Sequence, residues 1–407
     1  WLFKKEILMP NENELNIEIA TSLALRGVKV SKIEPDLLCN TKDIKLDKNT
    51  VEIYSAIAPI IHARIEEWVV EPAVNVTMEL FKSHLERQLK QFKLLVNGWD
   101  KVITRNALMR AVLVNSPGNI RGNALSYVCR KKNIPLISSQ HGVTVEISKS
   151  HSMLHIGFDN SVADTMFSYN SKIVEIEKNT YFDYSKHYIV GMPLRLIRMK
   201  HKKPINKSIP QIVYISTNLY HMGIGISQKT DYGRALDESR IITNVLSKLP
   251  HKVRYKTYPE DNRRYADIDP VLSIVNSANN IELFCKKIDM RYLVSEHRIF
   301  ITTCATSTLS WPVMSGKPVV FINQKNNSSL TNEAHASLSK GLFVFDDDKN
   351  NFHENLRSFL SQPISYIEAQ WEEKRVFRKD MIKNYFSEYK GDAGKRAAKI
   401  ILKEYLI

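Results

Sequence analysis

No apolar run in this chain reaches the roughly 18 residues that a membrane-crossing helix needs. The N-terminus also lacks the layout of a secretory signal peptide. Cysteine is scarce: four residues, Cys39, Cys129, Cys285 and Cys304, stand far apart with no CxxC spacing. That argues against zinc or disulfides. Because each thiol sits in or beside an apolar segment, buried thiols in a reducing cytoplasm are expected. A long lysine block and an aromatic-basic platform are both missing, which lowers the case for nucleic acid. Apart from the acidic run Asp346-Asp347-Asp348, no paired carboxylates close a strand, so chemistry without a bound metal is expected. The acidic run itself reads as a solvated turn.

Positive charge is what the chain has in plenty. A formal net charge of +15 over 407 residues implies an anionic partner: nucleotide, anionic glycan, acidic lipid headgroups or nucleic acid. An apolar share of 43% and a charged share of 25% are those of a soluble protein with a sizeable core. The length corresponds to about two domains. The chain begins at Trp1 rather than Met, so a trimmed chain or a module of a longer polypeptide is expected.

The stretch that organises the rest is 298–324, RIFITTCATSTLSWPVMSGKPVVFINQ. Ile299–Thr302 and Pro318–Ile322 are β-branched strands, and Ala305-Thr306-Ser307-Thr308 should open a helix that stops at Gly316. Hydroxyls at such a start can receive a phosphate, or can merely cap the helix. Similar alternations run through the chain. A weak strand (6–9), a helix (11–26) and a strand (28–33) come first, and residues 51–95 read as two or three helices interrupted by Pro59 and Pro72. Strands follow at 111–115, 134–139, 165–169 and 187–191, with helices at 123–132 and 171–178. Residues 195–210 are basic and broken by prolines, a linker. A second set then runs through strands 212–216, 253–258, 281–284, 299–302, 318–322 and 342–345, closing with helices at 352–361, 364–385 and 392–405. Two parallel-sheet α/β domains with a cleft between them are the simplest account. Ligands in such sheets bind beyond the carboxyl ends of strands, where Gln140-His141-Gly142 falls.

Four local patterns carry a family resemblance: SSQHG at 138–142, YIVGMP at 188–193, YKTYPE at 255–260 and TSTLSWPVMSGKPVVF at 306–321. With them the chain resembles the GT-B glycosyltransferases, built of two Rossmann-type domains facing across a cleft with C-terminal helices crossing back. More narrowly it resembles bacterial surface-polysaccharide enzymes with cytidine-activated donors: Kdo and sialic-acid-type transferases, and the CDP-glycerol glycerophosphotransferases. Where that family shows Lys-x-His-Pro, this chain has Lys256-Thr257-Tyr258-Pro259.

The resemblance implies an N-terminal acceptor domain (1–194), a linker (195–210), a nucleotide-donor domain (211–385) and a helix (386–407) packing back on the first domain. It implies transfer of an acidic sugar from a CMP donor to a capsule or lipopolysaccharide glycan, with no cofactor beyond the donor. A glycan or lipid-linked glycan would be the acceptor, with no nucleic-acid partner. The place would be the cytoplasm or the cytoplasmic face of the inner membrane. Nucleotide binding would fall to Lys256, Tyr258, Pro259, Glu260, Thr306, Ser307 and Thr308, with the Ser216-Thr217-Asn218 turn as a second donor cluster. That turn can also be read as loop capping. Arg263 and Arg264 could add charge or be plain surface. His141 and Glu146 are candidates for the base, with Gln140 and Gly142 on the acceptor side and Asp231 and Asp237 in reserve. His141 reads equally as a strand-end histidine bonding backbone. A UDP- or GDP-sugar transferase or a polyol-phosphate transferase of the same fold is the alternative. A non-catalytic binder of anionic polymer is a further one. The helix 392–405 is basic and amphipathic, suited to packing on a domain or lying on a membrane surface.

Overall fold

The computed structural model describes residues 5–33, 48–197, 208–216, 230–257 and 270–406. The strands are β1 (Glu6–Leu8), β2 (Lys29–Ser31), β3 (Met109–Asn115), β4 (Leu136–Ser139), β5 (Thr165–Ser168) and β6 (Lys186–Ile189). They form one six-stranded sheet in the order β2-β1-β3-β4-β5-β6. The strands β7 (Ile212–Ile215), β8 (Val253–Lys256), β9 (Ile281–Phe284), β10 (Ile299–Thr302), β11 (Val319–Asn323) and β12 (Phe343–Asp346) form the other, in the order β12-β11-β10-β7-β8-β9. Pairing is parallel from β2 through β4 and throughout the second sheet.

The central strands β4, β7, β10 and β11 are buried at every position. This is why they read as continuous apolar runs rather than alternating ones: helices cover both faces of a parallel sheet. Contacts gather the chain into two compact units. One comprises Trp1–Ser139, Phe158–Met166 and Ala398–Ile407; the other comprises Gln140–Gly157 and Phe167–Ala397.

Several expectations are corrected. Residues 51–95 are two helices, Lys48–Glu66 and Glu71–Thr104. Pro59 is carried inside the first, while Pro72 sits in the opening turn of the second, where its missing N–H has no intrahelical partner to lose. Helices Ser152–Asn160 and Asn332–Gly341 were not anticipated. The stretch 364–385 is two helices, Ile364–Glu373 and Arg375–Tyr385. The helix expected from 305 is a 3-10 turn, Ser307–Leu309, followed by a six-residue helix, Ser310–Ser315. It ends as foreseen at Gly316, whose φ of 75° is the left-handed region that glycine enters without strain. Of the thiols expected to be buried, Cys129 is, and burial pushes its pKa up to about 12; Cys285 is exposed and Cys304 only half-buried. The final helix, Ala393–Tyr405, buries Ala393, Ala397, Ala398 and Ile401, so its apolar side packs against protein.

Candidate functional site

In the second sheet the chain leaves β7 outward through β8 and β9, then returns to the opposite side of β7 for β10. The connections therefore diverge between β7 and β10, and the crevice beyond their carboxyl ends is the topological switch point. β10 runs into Thr303, Cys304, Ala305 and Thr306 before the 3-10 turn. Thr306 is extended, and no side chain caps the turn, so its hydroxyls are not used as the cap that the sequence allowed. Thr306, Ser307 and Thr308 are half-buried. On either side of them the buried hydroxyls Thr302 Oγ1 and Ser310 Oγ have no hydrogen-bond partner. A buried polar atom without a partner is costly, and a site built to receive donors or acceptors from a ligand is one reason to keep it.

Ser216 closes β7, and its N–H donates to the carbonyl of Lys256 at 3.0 Å. Lys256 closes β8 with 1% exposure, and its Nζ donates to the Thr257 carbonyl at 2.5 Å. Burial pulls its pKa down to about 8, against the pull of Asp289 and Cys285 in the other direction. An anion beside this amine would push its pKa back up. β7 separates β8 from β10, which puts Lys256 about 10 Å across the sheet from Thr302, the last residue of β10. Thr217, Asn218, Tyr258, Pro259, Glu260, Arg263 and Arg264 lie outside the described residues.

The loop after β4 is a closed network. The Glu146 carboxylate, 1% exposed, accepts from Gln140 Nε2 at 2.7 Å, Asn170 Nδ2 at 2.8 Å and the Thr144 N–H at 3.0 Å. Burial raises its pKa, with Asn170, Gln140 and the loop amides pulling the other way. Gln140 uses its whole amide inside the protein: Nε2 also donates to Gly142 O, and Oε1 accepts from the Tyr169 N–H just after β5. Residues Ile147, Ser148 and Lys149 pair with Ser329, Leu330 and Thr331 by an antiparallel bridge and its flanking bonds. Gly142 meets the turn after β10 directly. A Cβ built on it would stand 2.6 Å from Ser307 Cβ, so only glycine admits the approach. The closeness expected of Gly142 toward a ligand is thus a closeness to Ser307. His141, next to Gly142, is half-buried.

The first sheet has a switch point of its own, between β1 and β3, and a cavity of about 390 Å³ lies beside it. Asn11, Glu12, Lys32, Ser116, Asn119 and Arg121 are among the residues lining it. Ser116 adopts a positive φ of 50°, and a Cβ on Gly122 would fall 2.0 Å from the Pro117 carbonyl oxygen. The helix Ile120–Lys131 is capped by Asn119, whose Oδ1 accepts from the N–H groups of Arg121 and Gly122. The sequence signal was present in Ser116-Pro117-Gly118-Asn119, which reads on its own as a plain turn.

Other candidates are placed elsewhere. Asp237, Asp347 and Asp348 line a separate 250 Å³ recess with Arg240 and His353. Asp346 accepts from Asn323 Nδ2 and His335 Nε2; burial raises its pKa, but these partners and Lys325 hold it below the usual carboxylate value. Among the described residues no group of three or more His, Cys, Asp or Glu is arranged to hold a metal ion. Lys317 of the Gly-Lys-Pro motif turns inward, its Nζ donating to the carbonyls of Val294 and His297 at 2.6 and 2.5 Å.

No protein-family model matches the chain, and no curated protein matches it by sequence. Solved structures do. S. aureus MnaA, solved with UDP, aligns with 98% of this chain and 95% of its own at 11% identity and a TM-score of 0.54. A Listeria monocytogenes protein assigned as a UDP-N-acetylglucosamine 2-epimerase aligns with 98% of this chain and 96% of its own, at 12% identity and a TM-score of 0.54. Medicago truncatula UGT71G1, solved with UDP-glucose, aligns over 98% of each chain at 10% identity and a TM-score of 0.50. At such identities the likeness establishes the fold. The chain has the GT-B fold.

Proposed function

We propose that the chain is a nucleotide-sugar-dependent glycosyltransferase whose donor nucleotide rests at the end of β10. The observation that carries this reading is the uncapped turn Thr306–Thr308, flanked by two buried hydroxyls without partners at the switch point of the second sheet. Oriented hydroxyls and backbone amides there would stabilise the charge that develops on a departing phosphate, with no metal required. Lys256 would add a point charge beside the donor phosphate. His141, half-buried and next to Gly142, is the candidate base. Glu146 and Gln140 position its loop rather than meet substrate, because their polar atoms serve the network around Gly142, Thr144 and Asn170. The recess of Asn11, Ser116 and Arg121 at the other switch point is the acceptor candidate.

Two donor readings are supported by different observations. The sequence patterns at 138–142, 188–193, 255–260 and 306–321 favour a CMP-activated acidic sugar carried to a bacterial surface glycan. The structural neighbours solved with UDP and UDP-glucose favour a UDP-sugar. Nucleotide release should be followed with CMP-, UDP- and GDP-sugars plus glycan acceptors. One donor class should turn over, and His141→Ala should lower that turnover by about 10²–10⁴-fold with donor affinity near normal. Turnover that survives this substitution would remove His141 as the base. Absence of release from every donor, with tight salt-sensitive binding of anionic glycan instead, would replace the enzyme by a binding protein.

A further inference from the structure

The helices Lys48–Glu66 and Glu71–Thr104 form a hairpin that leaves apolar residues uncovered along the first helix and at the turn, while the second helix buries Val74, Leu95, Trp99 and Ile103. Among the described side chains of Lys48–Glu66 none is buried, although the helix carries Val51, Ile53, Ile57, Ile60, Ile61 and Ile65. At the turn, Trp68 is 86% exposed and Val70 is 75% exposed. Apolar surface of this extent on a folded chain marks a contact with something else. The charge says what that partner is like. Residues 48–80 hold two cations, Lys48 and Arg64, against five glutamates, in a chain whose formal net charge is +15. Glu66, Glu67 and Glu71 bracket the exposed tryptophan. An acidic, aromatic tip is repelled by an anionic lipid surface and attracted by a basic protein one.

Such a surface exists on this same chain. A groove of about 820 Å³ opens between the far part of helix Glu71–Thr104 and helix Ile120–Lys131. Leu89, Phe92, Tyr127 and Val162 line it, and Arg130 and Lys131 stand exposed on its rim. The tip cannot fill the groove of its own copy, because a straight helix keeps Phe92 about 30 Å from the hairpin turn. We infer that a second copy of this chain fills it: the Trp68–Val70 tip of each protomer seats in the partner's groove, with Glu67 and Glu71 facing the basic rim. The pairing is reciprocal, as a two-fold axis requires, and so makes the contact twice.

Sedimentation velocity on the full chain tests this. The wild type should dimerise, and more weakly as salt rises. Trp68→Glu and the double substitution Arg130→Glu with Lys131→Glu should each give monomers with unchanged helical circular dichroism, since the altered side chains are exposed. Mixing the tip variant with the groove variant should recover a weaker dimer through the one contact left intact. A wild type that stays monomeric, or a dimer that survives both variants, would overturn the proposal. So would a monomeric wild type whose Trp68 governs binding to anionic vesicles. Sugar-transfer activity is not read in any arm, so the outcome is independent of the donor assignment.

Discussion

The loop 140–148 and the turn 302–310 touch at Gly142 and Ser307, yet they are built to opposite rules. In the loop, the buried polar side chains of Gln140 and Glu146 are bonded to each other, to Asn170 beyond it and to backbone. In the turn, Thr302 and Ser310 bury hydroxyls that bond nothing, and the 3-10 turn has no side-chain cap. A satisfied network rigidifies; an unsatisfied one is retained against its own cost. The first region is therefore scaffold, and the second is where we propose that the ligand sits.

Breaking the scaffold should produce the largest effect. Glu146→Ala would leave the donors of Gln140, Thr144 and Asn170 facing a void, for a loss on the order of 3 kcal/mol or more, read by urea denaturation. The pH dependence sharpens the point. Because the folded carboxyl has a raised pKa, the folded chain keeps this proton to higher pH than the unfolded chain does. Its contribution is thus most favourable below the ordinary carboxyl pKa and declines as pH rises through the window up to the folded value. Glu146→Gln should remove that decline. A wild type whose stability climbs across the same window relative to the glutamine variant would count against a carboxylate held by burial.

A smaller effect is expected where the two regions meet. Gly142→Val would force the loop off Ser307 and cost about 1–3 kcal/mol, while Gly142→Ala should cost less; equal melting temperatures for all three chains would refute the close approach. The smallest effect on stability belongs to the turn. Thr302→Val removes an unpartnered buried hydroxyl at nearly constant volume and should leave stability level or slightly raised. A loss of more than about 1 kcal/mol would show that the hydroxyl is bonded after all.

The order of strands and helices was legible because buried parallel strands are short β-branched runs and the helices between them end at glycine or at a capping residue. In the second sheet Ile299–Thr302 forms as read, and the run read at Pro318–Ile322 forms as Val319–Asn323. Two helices escaped notice: Asn332–Gly341 carries a single large apolar residue, Leu338, and Ser152–Asn160 is a short run with Gly157 inside it. The roles within the site were less legible. Gln140 and Glu146 are six positions apart on a loop, and only the fold turns both inward to one network. Lys317 belongs to the 306–321 pattern that carries the resemblance, and its length lets it reach the carbonyls of Val294 and His297 inside the core. The recess beside Ser116 depends on a positive φ that sequence does not announce at a serine.

Whether the turn after β10 is the nucleotide seat is tested most directly by calorimetric titration of CMP and UDP into the wild type and into the Ser307→Ala, Thr308→Ala double variant. Alanine keeps the Cβ that packs against Gly142, so the fold contact is preserved while both hydroxyls are lost. The nucleotide that binds the wild type should bind the double variant about 10–100-fold more weakly, at an unchanged melting temperature. Equal affinity in the two proteins would contradict the placement of the donor at this turn.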